Sequence, residues 1–134
     1  MRKTLIAGVF FLMMGFCRLN AQNLSYSNWK TYFGDPINDT IVWHILKDTS
    51  FVLGKSGDTL VLSHCRISGD TLVLSDFGGM YQCPQSDGVY RVSIQGDNLH
   101  FDLVTDGCEG RSVIKDLVWT RVPDDNKSKK GKSK

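Results

Sequence analysis

The sequence predicts an all-β fold, a small antiparallel up-and-down barrel of eight strands. Three observations carry this. First, a turn-then-strand unit repeats. Gly57-Asp58-Thr59-Leu60-Val61-Leu62 returns as Gly69-Asp70-Thr71-Leu72-Val73-Leu74, with a looser copy at Gly96-Asp97-Asn98-Leu99-His100-Phe101. Gly-Asp supplies positive φ and local side-chain hydrogen bonds for a tight turn. The β-branched and aromatic residues that follow suit a pleated, half-buried surface. Second, apolar and polar residues alternate with the two-residue period of a strand. Third, no segment of ten or more residues from 22 onward keeps a helical period. Turn signals at this spacing go with sandwiches and barrels. Closure of eight strands removes the exposed edges that invite aggregation.

The elements follow in order. Strand 27–33 opens on Ser27-Asn28-Trp29, and strand 40–47 follows the turn residue Asp39 with Ile41, Val42 and Trp43. Strand 50–54 follows Asp48-Thr49. Strands 58–65 and 70–76 are the two close copies of the repeat, with Leu60 and Leu62 expected on one face and Leu72 and Leu74 likewise. In 88–95, Tyr90, Val92 and Ile94 oppose Arg91, Ser93 and Gln95. In 98–105, Leu99, Phe101 and Leu103 alternate with Asn98, His100 and Asp102. A short helical turn is expected at 109–114, weakened by Gly110. Strand 116–122 closes the set, with Leu117, Trp119 and Arg121 on one face.

Residues 1–21 read as an export signal. Arg2 and Lys3 precede twelve uncharged, mostly apolar residues, and Leu19-Asn20-Ala21 offers a small-residue cleavage site. Those twelve residues rise about 18 Å as a helix, short of a ~30 Å hydrocarbon core, so no stable membrane span is expected. The expected domain is 22–123, and 124–134 is a disordered basic tail with no apolar residue to bury. The body carries eight Lys/Arg against twelve Asp/Glu. It lacks the basic footprint of a nucleic-acid-binding domain.

After cleavage the cysteines are Cys65, Cys83 and Cys108. An exported chain meets an oxidising compartment, where a disulfide is favoured. Cys83 beside Pro84 and Cys108 beside Gly107 sit at turns and are expected to pair. Cys65 falls late in an alternating run and is expected as a buried thiol.

Catalytic and metal patterns were sought at their required spacings. Gly54-Lys55-Ser56 and Gly131-Lys132-Ser133 lack the upstream glycine of a phosphate loop. No G-x-S-x-G elbow exists. His44, His64 and His100 lack ligand spacing, and zinc needs three or four convergent ligands. No metal site, no cofactor and no enzymatic activity is therefore expected. The candidate ligand contacts are His44 and His64, should both face one lumen, and Arg111. Arg111 has two readings: an ion pair with Asp106 fixing the corner around Cys108, or an anionic-ligand site. The triplets Asp39-Thr40-Ile41, Asp58-Thr59-Leu60 and Asp70-Thr71-Leu72 read as turn-to-strand chemistry. They also resemble an O-glycosylation acceptor of some exported bacterial proteins.

The early Ser27-Asn28-Trp29, the meander of short strands and the late Trp119-Thr120-Arg121 resemble the lipocalin-like, or calycin, barrels. Asp106-Gly107-Cys108-Glu109-Gly110-Arg111 resembles a D-x-C-x-x-R corner of such barrels. The resemblance implies that Arg121 stacks on Trp29 to close one end. Ser27 stands where the family usually has glycine. The function expected is non-catalytic binding of a small apolar or amphipathic ligand in the barrel mouth, outside the cytoplasm, in the periplasm or secreted. The alternative is a protein-binding or inhibitor-type module of the envelope or exterior with a solid core. Lumen volume separates the two, because Trp29, Tyr32, Phe33, Trp43, Phe51, Tyr90, Phe101 and Trp119 are all candidates to fill it.

Overall fold

The computed structural model describes residues 24–124. The expected signal segment 1–21 and the expected basic tail beyond Asp124 lie outside the described residues. Eight antiparallel strands follow one another around a closed barrel. They are β1 (Ser27–Phe33), β2 (Asp39–Ile45), β3 (Thr49–Leu53), β4 (Thr59–Ser68), β5 (Thr71–Gly78), β6 (Gly88–Gln95), β7 (Asn98–Asp106) and β8 (Trp119–Arg121). Between β7 and β8 lie a one-turn helix, α1 (Glu109–Ser112), and a 3-10 turn at Val113–Asp116. That turn takes Asp116, the first residue of the expected last strand, and Leu117 and Val118 stay outside the ladder, so β8 is three residues long. It still closes the barrel, pairing Trp119 with Leu99 on β7 and Arg121 with Trp29 on β1.

The repeated Gly-Asp unit makes the turns. Gly57, Gly69 and Gly96 have φ of 87°, 59° and 61°, the left-handed region open to glycine at no steric cost. Alternate residues are buried along the regular strands, as in β5 with Leu72 and Leu74 and in β6 with Tyr90, Val92 and Ile94. The core gathers these with Leu24, Trp29, Ile45, Leu99, Phe101 and Trp119.

Three bulges change which residues face inward. In β4, Leu60 is an extra residue between the pairs Val52–Val61 and Leu53–Thr59. Beyond it Val61, Ser63 and Cys65 take the inner positions, while Leu62 pairs with outward-facing Phe51. Leu60 and Leu62 therefore do not share a face. In β5, Phe77 is the extra residue between the pairs Ser63–Asp76 and Leu62–Gly78, and it is exposed. In β7, Val104 is extra, so even-numbered Asp106 lies on the inner side with Leu99 and Phe101. A bulge inserts one unpaired residue and reverses parity beyond it. All three lie in the half of the barrel that holds the cavity.

Candidate functional site

The strand ends define two unlike ends of the barrel. At one end lie the starts of β1, β3, β5 and β7. Here the guanidinium carbon of Arg121 sits 4.4 Å from the Trp29 ring centroid. Trp29 is fully buried, and its indole N–H donates to Ser27 Oγ at 2.6 Å. The Ser27 hydroxyl in turn donates to the Leu24 carbonyl. A serine where the resembled barrels carry glycine thus gives the buried indole its acceptor.

At the other end the lumen stays open as a cavity of about 340 Å³, near the lower limit of the ~300–1,000 Å³ typical of ligand pockets. Its apolar wall includes Phe33, Ile41, Val52, Leu60, Leu74 and Ile114. Trp43 and Trp119 line it from the middle of the barrel, with ring centroids 5.2 Å apart, and Trp43 stacks on Phe101 at 5.3 Å. Exposed Pro36, Tyr81, Gln82 and Gly110 form its rim. Of the aromatic residues considered as lumen fillers, Tyr32 is exposed and Phe51 lies on the outer wall.

One side of this cavity is polar, made by Ser63, Asp76 and Arg111. Arg111 comes from α1, which starts at Cys108, whose sulfur accepts the Arg111 backbone N–H at 3.3 Å. Its Nε and Nη2 donate to the two carboxylate oxygens of Asp106 at 2.7 and 2.8 Å, a bidentate fork. Nη2 also donates to the Ser86 carbonyl at 2.6 Å. Nη1 lies 3.1 Å from Asp76 Oδ2 and donates to the Cys83 carbonyl at 3.4 Å. Of the two readings of Arg111, the geometry shows the ion pair, with two carboxylates and two backbone carbonyls around the guanidinium. Asp106 also accepts from the Tyr90 hydroxyl and from the Cys108 N–H. Burial alone would raise the Asp106 pKa, but the hydrogen bonds from Arg111, Tyr90 and Cys108 outweigh it and hold it below the usual carboxylate value. Burial first, then its bond to Asp106, raises that of Tyr90.

The disulfide Cys83–Cys108 joins the β5–β6 loop to the same corner, and Cys65 is a buried free thiol. With a sequence separation of 25 between the cysteines, chain entropy assigns the bond about 3.5 kcal/mol. Gly88 packs under the cluster: a Cβ there would lie 2.4 Å from Asp106 Oδ2 and 2.8 Å from Arg111 Nε. Only glycine leaves room for the fork.

The structure does not bring His44 and His64 into the lumen. Ile41, Trp43 and Ile45 take the inner positions of β2, which sends His44 to the outer wall, stacked on Phe51 with Nδ1 2.7 Å from Asn28 Oδ1. The β4 bulge turns Ser63 and Cys65 inward and leaves His64 exposed, stacked on Phe77. Among the described residues, no group of three or more His, Cys, Asp or Glu is placed to hold a metal ion.

Ser63 and Asp76 were not among the sequence candidates. The Ser63 hydroxyl donates to Asp76 Oδ1 at 2.7 Å, and Asp76 Oδ2 accepts the Cys83 N–H at 2.9 Å. Asp76 was legible, because it continues the buried alternation of Leu72 and Leu74. Ser63 was hidden by the bulge before it. No helix among the described residues is long and apolar enough to cross a membrane. Comparison with protein-family models, with curated proteins and with solved structures finds no match for this chain.

Proposed function

We propose that the chain is an exported, non-catalytic binding protein of the lipocalin-like kind, holding a small apolar or amphipathic molecule in the barrel mouth. The single observation that carries this is the cavity of about 340 Å³ with apolar walls at one end of an otherwise packed barrel. At ~30 Å³ per water-sized group, that volume suits a ligand on the order of ten non-hydrogen atoms. Export is supported by the Arg2-Lys3 and apolar opening of the sequence and by the Cys83–Cys108 disulfide. The non-catalytic reading is supported by the outer-wall placement of His44 and His64. Cys65 agrees with it: burial, then Asp48, raises its thiol pKa and so disfavours the reactive thiolate. Exposed Met80 and Tyr81 on the β5–β6 loop favour the alternative, a protein-binding module using the rim.

Calorimetric titration with decanol tests the proposal. Decanol binds the wild type with one-to-one stoichiometry. Val61→Trp, which places an indole in the cavity, weakens it by about tenfold or more, a loss of ~1.4 kcal/mol. Failure of decanol and of its amine and carboxylate counterparts, decylamine and decanoate, to bind the folded wild type would overturn the reading.

A further inference from the structure

We propose that the cavity selects small amines, apolar molecules whose protonated nitrogen sits against Asp76. The inference deepens the binding function proposed above and rests on it.

Three observations converge. The first is the charge balance of the polar side. Two carboxylates, Asp76 and Asp106, face one guanidinium, Arg111, and all three side chains are at least nine-tenths buried. The formal sum is one negative charge. Buried charges are stable only when paired, so this surplus favours a cation nearby.

The second observation locates that surplus. The oxygens of Asp106 receive four donors: Arg111 Nε and Nη2, the Tyr90 hydroxyl and the Cys108 N–H. A carboxylate offers about four acceptor positions, so Asp106 is saturated. Asp76 receives two hydrogen bonds, from the Ser63 hydroxyl on Oδ1 and from the Cys83 N–H on Oδ2, and Arg111 Nη1 lies 3.1 Å from Oδ2 as an ion contact. One acceptor position is left on Oδ1. Asp76 lines the cavity and Asp106 does not. Ser63 Oγ spends its proton on Asp76 and offers the cavity only acceptor capacity. With Arg111 held between two carboxylates and two backbone carbonyls, the polar side presents acceptors and net negative charge, the opposite of a fatty-acid or phosphate site.

The third observation is independent of the cluster. The indoles of Trp43 and Trp119 line the same cavity, and both are buried to within 3%. Their faces attract a cation. Neither indole N–H has an acceptor among the described residues. A hydroxyl or carbonyl on the ligand supplies one, so an amine that also carries an oxygen matches the cavity's polar groups better than a bare alkylamine.

The test uses three probes with one alkyl chain: decylamine, decanol and decanoate, titrated at neutral pH below their aggregation limits. Decylamine binds about tenfold or more tighter than decanol, and decanoate binds more weakly than decanol. Asp76→Asn removes the surplus charge and erases the amine's advantage, read as the ratio of decylamine to decanol affinity in the same variant. Ser63→Ala leaves the carboxylate in place and keeps the preference, so it serves should Asp76→Asn fail to fold. Decanol binding as tightly as decylamine, or decanoate binding best, would overturn the amine inference and leave the cavity reading standing. Failure of all three probes to bind would overturn both.

Discussion

The two ends of the barrel use the same eight strands and the same alternation, yet they differ in what occupies the lumen. At the closed end, Leu24, Trp29, Ile45, Leu72 and Leu99 are at most 1% exposed, and Arg121 covers Trp29. At the open end, Phe33, Ile37, Val52, Val61 and Ile114 are only partly buried around a cavity. Ordering there comes from a polar clamp: Arg111 with Asp76 and Asp106, and the Cys83–Cys108 bond beside it. A filled lumen yields stability and leaves no room for a ligand. A clamped, unfilled one keeps a binding volume and needs directional bonds to hold its rim. All three bulges fall on the clamped side, where they turn Ser63 and Asp106 inward.

The sharpest way to break this contrast is to cut into each end. Trp29→Ala at the closed end should cost about 3–5 kcal/mol, because a large buried side chain leaves a hole its neighbours cannot fill. Val52→Ala at the open end should cost about 1 kcal/mol or less, since it only widens an existing cavity. Urea unfolding midpoints measure both. Equal losses would mean that the open end carries as much packing as the closed one.

Arg111→Met should match the loss at Trp29, at about 3–5 kcal/mol, because it leaves two buried carboxylates without their partner. Adding Asp106→Asn and Asp76→Asn should recover part of that loss. If Arg111→Met is neutral, the clamp does not order the rim.

Arg121→Ala should cost about 1–3 kcal/mol, from the cation over the indole face and the packing of its stem. A double-mutant cycle with Trp29→Ala should show coupling, and Arg121→Lys should recover only part of the loss. Additive losses would separate the two residues.

The smallest effect is the pH dependence of the clamp. The Asp106 pKa is lowered in the folded state. Its contribution is therefore full above the unfolded value of about 3.9 and is lost as pH falls through the folded one. The Tyr90 pKa is raised. Its contribution is present below about 10 and is lost as pH rises from there toward the folded value. Asp106→Asn should flatten the acid limb of the unfolding midpoint. An unchanged acid limb would count against it.

The strand order, the Gly-Asp turns and the closed end were legible because turn chemistry and alternation are local, and a tryptophan and an arginine in register mark the closure. The cavity side was less so. A bulge changes parity without changing composition, so Leu60 concealed Ser63, and Val104 concealed the inward placement of Asp106. His44 could have been placed outside from Ile41, Trp43 and Ile45 on either side of it. The expected last strand starts three residues early because Leu117 and Val118 are apolar and lie between Asp116 and Trp119 in a way that suits a strand, whereas the 3-10 turn runs on through Asp116.

The central claim is that ligand occupies one end of the barrel and leaves the other untouched. The three tryptophans of the chain report on this separately. Trp43 and Trp119 line the cavity with indole N–H groups that have no acceptor among the described residues, whereas the Trp29 N–H is bonded to Ser27 at the closed end. In a nitrogen–proton correlation spectrum titrated with decanol, the Trp43 and Trp119 indole signals should shift to saturation while that of Trp29 stays in place. Three unmoved signals, or a Trp29 signal that shifts as much as the other two, would contradict the account.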